Sequence, residues 1–252
     1  MCYDDNARPP LPAGASGEAR GEDLVLTAAD GNRFAAYRAY PAQELAKGAQ
    51  ILIYPDVRGL HQFYKDLALR FATLGLQAVA IDYFGRTAGL TDRSDSFEYM
   101  PHVMQLNINT VAEDAKAALA TLQPGKPTFL VGFCLGGSLS ILTAGRDLGL
   151  AGTIGFYTGL SRTVQGSKGT VLEESAKVRT PFLGLYGGAD ESIPSSELKI
   201  LDKNLTTAGV EHQIVVYDGA PHSFFDRRAA QYAEASADAW LKIQAFIQKY
   251  SQ

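Results

Sequence analysis

The stretch between residues 129 and 140 limits most strongly what this chain can fold into. It reads Phe-Leu-Val-Gly-Phe-Cys-Leu-Gly-Gly-Ser-Leu-Ser, an apolar run that ends in glycines and restarts with small and apolar residues. This order predicts a buried strand, a sharp turn and the start of a helix. Residues 132–136 have the spacing Gly-x-Nu-x-Gly of a nucleophile elbow, with Cys134 at its centre. A buried cysteine packed between glycines is the alternative interpretation, because unpaired cysteine is often buried.

An elbow would place the Cys134 side chain above the end of a sheet, beside the N-terminus of a helix. Glycines on either side let the strand and the helix pass close to a backbone that is strained at the cysteine. The partial positive charge at the helix N-terminus favours a thiolate over a thiol. The motif therefore predicts a reactive cysteine.

The composition argues against several classes of protein. The chain has 252 residues, 46% of them hydrophobic, which suits an α/β protein with a sizeable core. Its net charge of -4 predicts no broad basic surface, so neither nucleic acid nor an anionic membrane is an expected partner. The N-terminal residues lack the apolar core of a signal peptide, and no apolar run approaches the roughly 18 residues of a membrane span. We expect a cytoplasmic location.

Cysteine and histidine spacing predicts neither a disulfide framework nor a metal site. The two cysteines, Cys2 and Cys134, are far apart in the sequence, and we expect them not to pair. Neither Cys-x-x-Cys nor His-x-x-x-His occurs, and the chain has no Gly-x-Gly-x-x-Gly or phosphate-binding loop. No cofactor is expected.

Apolar runs alternate with helical segments over most of the chain. Residues 1–22 are rich in Pro, Gly, Ala and charge and predict an irregular arm, whereas 23–252 predict a single domain. Asp30-Gly31 is a turn signal that predicts a hairpin over 24–28 and 33–40. Further strands are predicted at 50–54, 77–81, 129–133, 152–157, 182–186 and 213–217, and helices near 62–74, 108–122, 195–207 and 229–249. This alternation predicts a mostly parallel sheet with helices on both faces.

A nucleophile at the carboxyl edge of such a sheet needs a base, and His222 is the best candidate. It lies in a turn-rich loop directly after the last predicted strand. His61 sits at a helix start and His212 at the wrong end of a strand, so His102, in the long loop over 83–105, is the main competitor. A loop of that length usually carries function or closes over a site.

The base needs an acid that holds its tautomer, and Asp190 follows an earlier strand in the sequence Gly-Gly-Ala-Asp. Glu191 and Asp218 remain alternatives. The order Cys134, Asp190, His222 matches the nucleophile, acid and base order of α/β-hydrolases. Three suitable residue types at three strand ends are more specific than the elbow alone.

From about residue 24 to its C-terminus the chain resembles the dienelactone hydrolase family of α/β-hydrolases. The motifs that carry the resemblance lie at 56–60, 82–86, 132–137, 187–190 and 219–225. The resemblance implies Cys134 as nucleophile, His222 as base and Asp190 as its partner. It also implies an oxyanion hole formed by the backbone N–H groups of Val57 and Leu135.

This chain departs from the family pattern at two places. The family has a glutamate where Asp56 stands, and the resemblance implies that this carboxylate contacts the resting thiol. The alternative is that Asp56 only shapes its loop. The resemblance also implies that Arg86 binds a substrate carboxylate, although a surface ion pair is an equal alternative. A second such arginine is replaced by Asp226, with arginines at the next two positions. Arg58 could face the mouth of the site, but we expect it to be solvated.

The sequence therefore predicts a cysteine-dependent hydrolase that cleaves enol-lactones or activated esters, small-molecule substrates, through a Cys-His-Asp triad and an acyl-enzyme. A thiolate attacks such carbonyls readily, and an enol is a good leaving group. One alternative is a non-catalytic protein of the same fold that binds a ligand or partner. Another is a redox thiol at Cys134, which the absence of a neighbouring resolving cysteine in the sequence disfavours. Nothing in the sequence indicates the oligomeric state.

Overall fold

The computed structural model describes residues 5–15, 17–42 and 48–251, so Cys2 and its expected lack of pairing lie outside the described residues. The described chain forms a sheet of eight strands in the order β1-β2-β4-β3-β5-β6-β7-β8. All neighbouring pairs from β4 to β8 are parallel, and the β1–β2 and β2–β4 pairs are antiparallel. The strands are β1 (Ala19–Thr27), β2 (Arg33–Pro41), β3 (Gln50–Tyr54), β4 (Gln77–Ile81), β5 (Thr128–Phe133), β6 (Gly152–Phe156), β7 (Phe182–Gly187) and β8 (His212–Tyr217).

The central strands are continuous apolar runs because both of their faces are covered. Every residue of β3, β4, β5, β6 and β7 is buried. Ile53 of β3 is in register with Val131 of β5, which in turn pairs with Ile154 of β6. The carboxyl ends of these strands therefore meet at one edge of the sheet, as the alternation of strands and helices predicts.

Helices join the parallel strands and cover the sheet. Phe71 of the first long helix packs against Trp240 of the last one, with ring centroids 5.0 Å apart. No helix of the residues described here is long and apolar enough to span a membrane. The helices are α1 (Gln62–Thr73), α2 (Gly85–Ala88), α3 (Met100–Val103), α4 (Ile108–Leu119), α5 (Leu135–Ala144), α6 (Val171–Glu174), α7 (Ser195–Thr207) and α8 (Ala233–Tyr250), with a 3-10 turn at Ser175–Lys177.

Most element boundaries differ from the predicted ones by one or more residues, and three of these differences follow from local structure. Strand β1 begins at Ala19, inside the segment expected to be irregular, because its polar residues face solvent on an edge strand paired with β2. Strand β6 ends at Phe156, since Tyr157 has a φ of 34° that breaks the extended backbone. Helix α8 begins at Ala233, because a series of turns occupies the residues just before it.

The described part of the N-terminal arm packs on the domain. Trp240 of α8 donates its indole N–H to the carbonyl of Pro10 at 3.0 Å. Gln244, one helical turn further on, donates to the carbonyl of Ala13 at 3.2 Å. Although residues 5–15 contain no helix or strand, side chains of α8 hold their backbone in place.

Candidate active site

Cys134 occupies the turn between β5 and α5. Its φ of 52° and ψ of -111° lie outside the usual regions for a residue with a side chain, as expected for the strained centre of an elbow. The side chain is partly exposed. The sulfur is therefore not sealed in the core, which removes the main structural argument for the buried-cysteine interpretation.

The two glycines of the elbow are required because there is no space for a side chain. A Cβ atom at Gly136 would overlap the carbonyl oxygens of Tyr54 and Pro55, and one at Gly132 would overlap the carbonyl of Gly136. The elbow thus presses the start of α5 directly onto the end of β3. This contact also brings the loop after β3 next to the elbow.

His222 and Asp190 form a hydrogen-bonded pair at the same edge of the sheet. His222 Nδ1 lies 2.6 Å from Asp190 Oδ2. Ser192 donates both its backbone N–H, at 3.0 Å, and its hydroxyl, at 2.6 Å, to the other carboxylate oxygen. Burial alone would raise the pKa of Asp190, but the hydrogen bonds from His222 and Ser192 and the nearby His222 charge outweigh it and lower the pKa. An ionised Asp190 accepts the Nδ1 proton, so the lone pair of the neutral imidazole lies on Nε2, the nitrogen that can act as a base.

Cys134, Asp190 and His222 all line one cavity of about 610 Å³. The structure therefore brings together the three residues that the sequence proposed, from three different strand ends. The alternative acids Glu191 and Asp218 are both exposed, and it is Asp190 that accepts the hydrogen bond from His222 Nδ1.

The other histidines lie elsewhere in the structure. The ring of His102 stacks on Phe97, with centroids 5.1 Å apart, and His102 does not line the cavity that holds Cys134. His212 Nε2 lies 3.2 Å from Asp202. The competitor that the sequence left open is thus remote from the cavity lining.

The two expected oxyanion donors lie on elements that the elbow brings together. Leu135 is the first residue of α5, where backbone N–H groups have no acceptor within the helix. Val57 lies on the loop after β3, against which Gly136 packs. Leu135 lines the cavity, whereas Val57 is not among its lining residues and is only 9% exposed.

Tyr83 supports the loop that carries Val57, a role that the sequence analysis missed. Its buried hydroxyl donates to the carbonyl of Pro55 at 2.8 Å and also to the carbonyl of Asp56. Burial raises the pKa of Tyr83 well above its usual value, and the charges of Asp56 and Cys134 add to that effect. Tyr83 lies in the motif at 82–86, from which only Arg86 was predicted to have a role in the site.

Asp56 is buried and is bonded within its own loop. One oxygen accepts the N–H of Arg58 at 2.9 Å, and the other lies 3.4 Å from Nε2 of His61. These contacts fit the alternative in which Asp56 shapes the loop. Its role as a partner of the thiol stays a prediction.

The expectation that Arg58 is solvated is wrong. Its side chain is completely buried, and one guanidinium nitrogen contacts Asp5 at 2.6 Å and Asp95 at 2.5 Å. The other lies 2.6 Å from Nδ1 of His61. Two carboxylates and an imidazole replace the water that a buried guanidinium loses, which explains why this arginine is tolerated inside the molecule.

Arg86 is not among the residues that line the cavity, and its expected role in binding substrate stays a prediction. Its guanidinium contacts Asp30 at 2.6 Å and the buried carboxylate of Asp114 at 2.8 Å, and it donates to the carbonyl of Thr110. The ion-pair alternative is the one observed. Asp114 lies inside helix α4, where a buried carboxylate needs a cationic partner.

Other arginines line the cavity instead. Arg227 and Arg228 follow His222 in the sequence and line the cavity. They lie one and two positions after Asp226, which stands where the family has its second arginine. Arg162, from the loop after β6, also lines the cavity and was missed, because no local pattern marks it. The acidic Glu191 lies among them. No group of three or more acidic, histidine or cysteine residues within the described chain is arranged to hold a metal ion.

The sheet order, the elbow at the end of β5 and the acid and histidine after β7 and β8 define an α/β-hydrolase. Residues 34–251 match the model of the dienelactone hydrolase family. The chain therefore belongs to the dienelactone hydrolase family and is a hydrolase of carboxylic esters or lactones.

Individual relatives agree with this assignment. A protein of Methylorubrum extorquens named "Putative carboxymethylenebutenolidase" is 30% identical over 226 residues, which cover 85% of this chain and 76% of that one. The "Carboxymethylenebutenolidase" of Rhodococcus opacus is 27% identical over 99% of this chain and 97% of its own length. A crystal structure titled "Putative Dienelactone Hydrolase" from Klebsiella pneumoniae superposes with a TM-score of 0.77 at 24% identity, covering 92% of this chain and 100% of that one, and so has the same fold.

Proposed function

We propose that this chain is a cysteine-dependent hydrolase that cleaves enol-lactones or activated esters through an acyl-enzyme. Cys134 is the nucleophile, His222 the general base and Asp190 the residue that orients His222. The observation that carries the proposal is the 2.6 Å contact between His222 and Asp190 on the cavity that Cys134 lines. A histidine with its tautomer fixed by a carboxylate, beside a strained and accessible thiol, is the arrangement that acyl transfer requires.

The reaction proceeds in two acyl transfers. His222 Nε2 accepts the thiol proton, and the sulfur of Cys134 forms a bond to the substrate carbonyl carbon. The C–O bond to the leaving group then breaks, and the proton passes from His222 to the leaving oxygen, which makes His222 neutral again. In the second transfer His222 removes a proton from water as the water oxygen attacks the thioester carbon. The C–S bond then breaks, and the proton passes from His222 to the sulfur of Cys134, which restores the thiol and releases the acid.

The negative charge that develops on the carbonyl oxygen requires hydrogen-bond donors. The N–H groups of Leu135 and Val57 fill this role in the proposal, since α5 begins at Leu135 and the elbow packs on the Val57 loop. Each such donor contributes about 3–4 kcal/mol to the stability of the transition state. Tyr83 acts on this site only by holding the Val57 loop.

The leaving group decides which acyl compounds react. An enolate or an activated alkoxide leaves a tetrahedral intermediate readily, whereas an amine must first be protonated. Thiolate is itself a good leaving group, so an amide intermediate would mostly expel the cysteine and return to substrate. We therefore propose lactones and activated esters, and not peptides, as substrates.

Three guanidinium groups on the cavity support a substrate that carries a negative charge. Arg162, Arg227 and Arg228 lie on two loops that border the cavity. Guanidinium groups bind carboxylates through paired N–H donors. We propose that Arg162 contacts a carboxylate on the acyl portion of the substrate, because Arg162 lines the cavity, whereas Arg86 does not and is paired with Asp30 and Asp114.

An activated aryl ester tests the catalytic residues. Cys134→Ala and His222→Ala are expected to lower kcat/KM by at least about 1000-fold, because the nucleophile or its base is gone. Cys2→Ala is the matched control, as it removes the other cysteine of the chain, and it should retain wild-type turnover. Mass spectrometry of a slow substrate should show an acyl group on Cys134. Equal turnover by wild type and Cys134→Ala would reject the proposal in favour of a non-catalytic binding protein.

A pair of lactones with and without a free carboxylate tests the proposed anchor. Arg162→Gln is expected to raise KM about 10-fold for the carboxylated lactone alone, because only that substrate loses an ionic contact. Arg20→Gln, at an exposed position of β1, serves as the control for charge alone. Equal KM changes for both lactones would remove Arg162 from the role.

A further inference from the structure

Tyr157 lies against the proposed base. Its ring is fully buried, and its centroid is 4.8 Å from that of the His222 imidazole, at an angle of 53°. The backbone of Tyr157 has a φ of 34°, which is uncommon for a residue with a side chain. Such a conformation persists only where the surrounding structure imposes it. The end of β6 is thus bent to present this ring to the His222 loop.

The hydroxyl of Tyr157 is tied to the segment that follows His222. It donates to Oδ2 of Asp226 at 2.8 Å, and Asp226 is only 4% exposed. The second oxygen of Asp226 accepts the N–H of Arg227, and the N–H of Asp226 donates to the carbonyl of Ser223 at 3.3 Å. The contact therefore forms a closed path that runs from the imidazole through the Tyr157 ring and hydroxyl to Asp226 and back along the chain.

The hydrogen bond to Asp190 holds the imidazole at Nδ1. Small changes in the side-chain torsions of His222 can still move Nε2 relative to Cys134. The fully buried Tyr157 ring lies beside the imidazole, tilted by 53° to it, and blocks such movement towards that side. The apolar rings of Phe133 and Phe224 pack on Tyr157, so its hydrogen bond to a carboxylate lies in surroundings of low polarity, where it is strong.

We infer that Tyr157 and Asp226 act together as positioning residues for His222. The inference rests on the proposed function of His222 as a base. Neither residue exchanges a proton with substrate. Asp226 holds the Tyr157 hydroxyl, the Tyr157 ring restrains the imidazole on one side, and Asp190 holds Nδ1, so that Nε2 keeps its position relative to the sulfur of Cys134.

The test uses Tyr157→Phe, which keeps the ring and removes only the hydroxyl. Turnover of an activated aryl ester should fall about 10-fold in kcat, with KM changed less than twofold, because orientation of the base is lost and substrate contacts are not. The second-order rate of Cys134 alkylation by iodoacetamide at pH 7 should fall towards the rate in His222→Ala. This rate reports the coupling of sulfur and imidazole without any substrate.

Tyr217→Phe is the matched control. Tyr217 donates to Asp238 at 2.9 Å, so the same kind of hydrogen bond is removed from a pair that does not contact the imidazole. Both rates should stay at wild-type values in this variant. They are measured on protein whose thermal unfolding begins only above the assay temperature.

Asp226→Ala, alone and combined with Tyr157→Phe, tests whether the two residues act as a unit. The double variant should lose no more activity than the more affected single variant. Independent, multiplicative losses, or unchanged kcat and alkylation rates in Tyr157→Phe, would overturn the inference. Failure of this inference leaves the proposed function intact if Cys134→Ala and His222→Ala abolish turnover in the same assay. If those two variants keep their turnover, the proposed function itself is wrong.

Discussion

Asp190 and its neighbours show how one residue of the site is set to its task. Burial opposes ionisation, yet His222 and Ser192 donate hydrogen bonds to the carboxylate and lower its pKa. The ionised form accepts the Nδ1 proton of His222. At this scale the chemistry depends on which atoms donate to which, and single substitutions can test it.

Asp190→Asn is expected to lower kcat on an activated ester by at least about 100-fold, with little change in KM. An amide can donate to Nδ1, which stabilises the tautomer with the proton on Nε2, where it cannot accept from the thiol. Steady-state kinetics measure both constants. Asp218→Asn, an exposed carboxylate near the same edge, is the control, and a similar loss there would contradict the specific role of Asp190.

Gly136→Ala should destabilise the fold severely, by more than about 3 kcal/mol, because the new methyl group overlaps backbone carbonyls that cannot move away. Gly159→Ala is the comparison, since its nearest neighbour would be the Ser138 hydroxyl at an ordinary 3.5 Å. Urea unfolding measures both. Equal stabilities of the two variants would show that the elbow can relax.

The pair of Arg86 and Asp114 operates between elements. It joins the hairpin turn at Asp30, helix α2 and helix α4, and Asn32 adds a hydrogen bond of 3.1 Å to Asp114. Burial raises the pKa of Asp114 to about 6, even though Asn32 and Arg86 favour the ionised form. Its protonated form is therefore favoured by folding, which makes the stability of this junction depend on pH.

The free energy of unfolding should fall as the pH rises from about 4 to about 6. Because the folded pKa of Asp114, about 6, exceeds the model value of 3.8, the folded state holds a proton there that the unfolded state has lost. At about 1.36 kcal/mol per pH unit, Asp114 lowers the free energy of unfolding by at most about 3 kcal/mol between pH 4 and 6. Above about pH 7 it causes no further change.

Asp114→Asn is expected to remove that pH dependence, and urea unfolding at several pH values measures it. Glu113→Gln, a partly exposed position of the same helix, should keep it. A constant difference in unfolding free energy between wild type and Asp114→Asn over this range would contradict the assignment.

Arg58 connects separate segments of the whole molecule. It joins the N-terminal arm at Asp5, the segment between β4 and α4 at Asp95, and the loop that carries Val57. Asp95 also donates its N–H to Asp5 at 3.2 Å. One buried cation thus holds two outlying segments onto the loop beside the active site.

Arg58→Met should loosen these segments without unfolding the domain. The exchange rate of the Asp95 amide hydrogen is expected to rise at least about 10-fold, and unfolding free energy to fall by about 2 kcal/mol, less than for a fully buried pair because Asp5 and Asp95 are half exposed. Arg38→Met, which breaks the exposed pair with Glu22, is the control. Unchanged exchange at Asp95 would show that Arg58 does not hold the arm.

Much of the fold and the core of the site could be predicted locally. The boundaries of β4 and α7 agree with the predicted ones, because periodic apolar residues and turn residues act over short distances. The elbow at Cys134 could be predicted from its Gly-x-Cys-x-Gly spacing, because close backbone contacts require both glycines. Family resemblance contributed the oxyanion donors and the expected role of Arg86, whose partners in the structure are Asp30 and Asp114.

By itself the amino-acid sequence determined the alternation of strands and helices, the position of the elbow and the order of Cys134, Asp190 and His222. Only the tertiary structure decided the partners of Arg58 and Arg86 and the contact between Tyr157 and Asp226. The Tyr157–Asp226 pair is 69 positions apart in the sequence, and the Arg58–Asp5 pair is 53 apart. Local patterns arise from periodicity along the chain, whereas a buried ion pair or hydrogen bond depends on which loops meet once the sheet has formed.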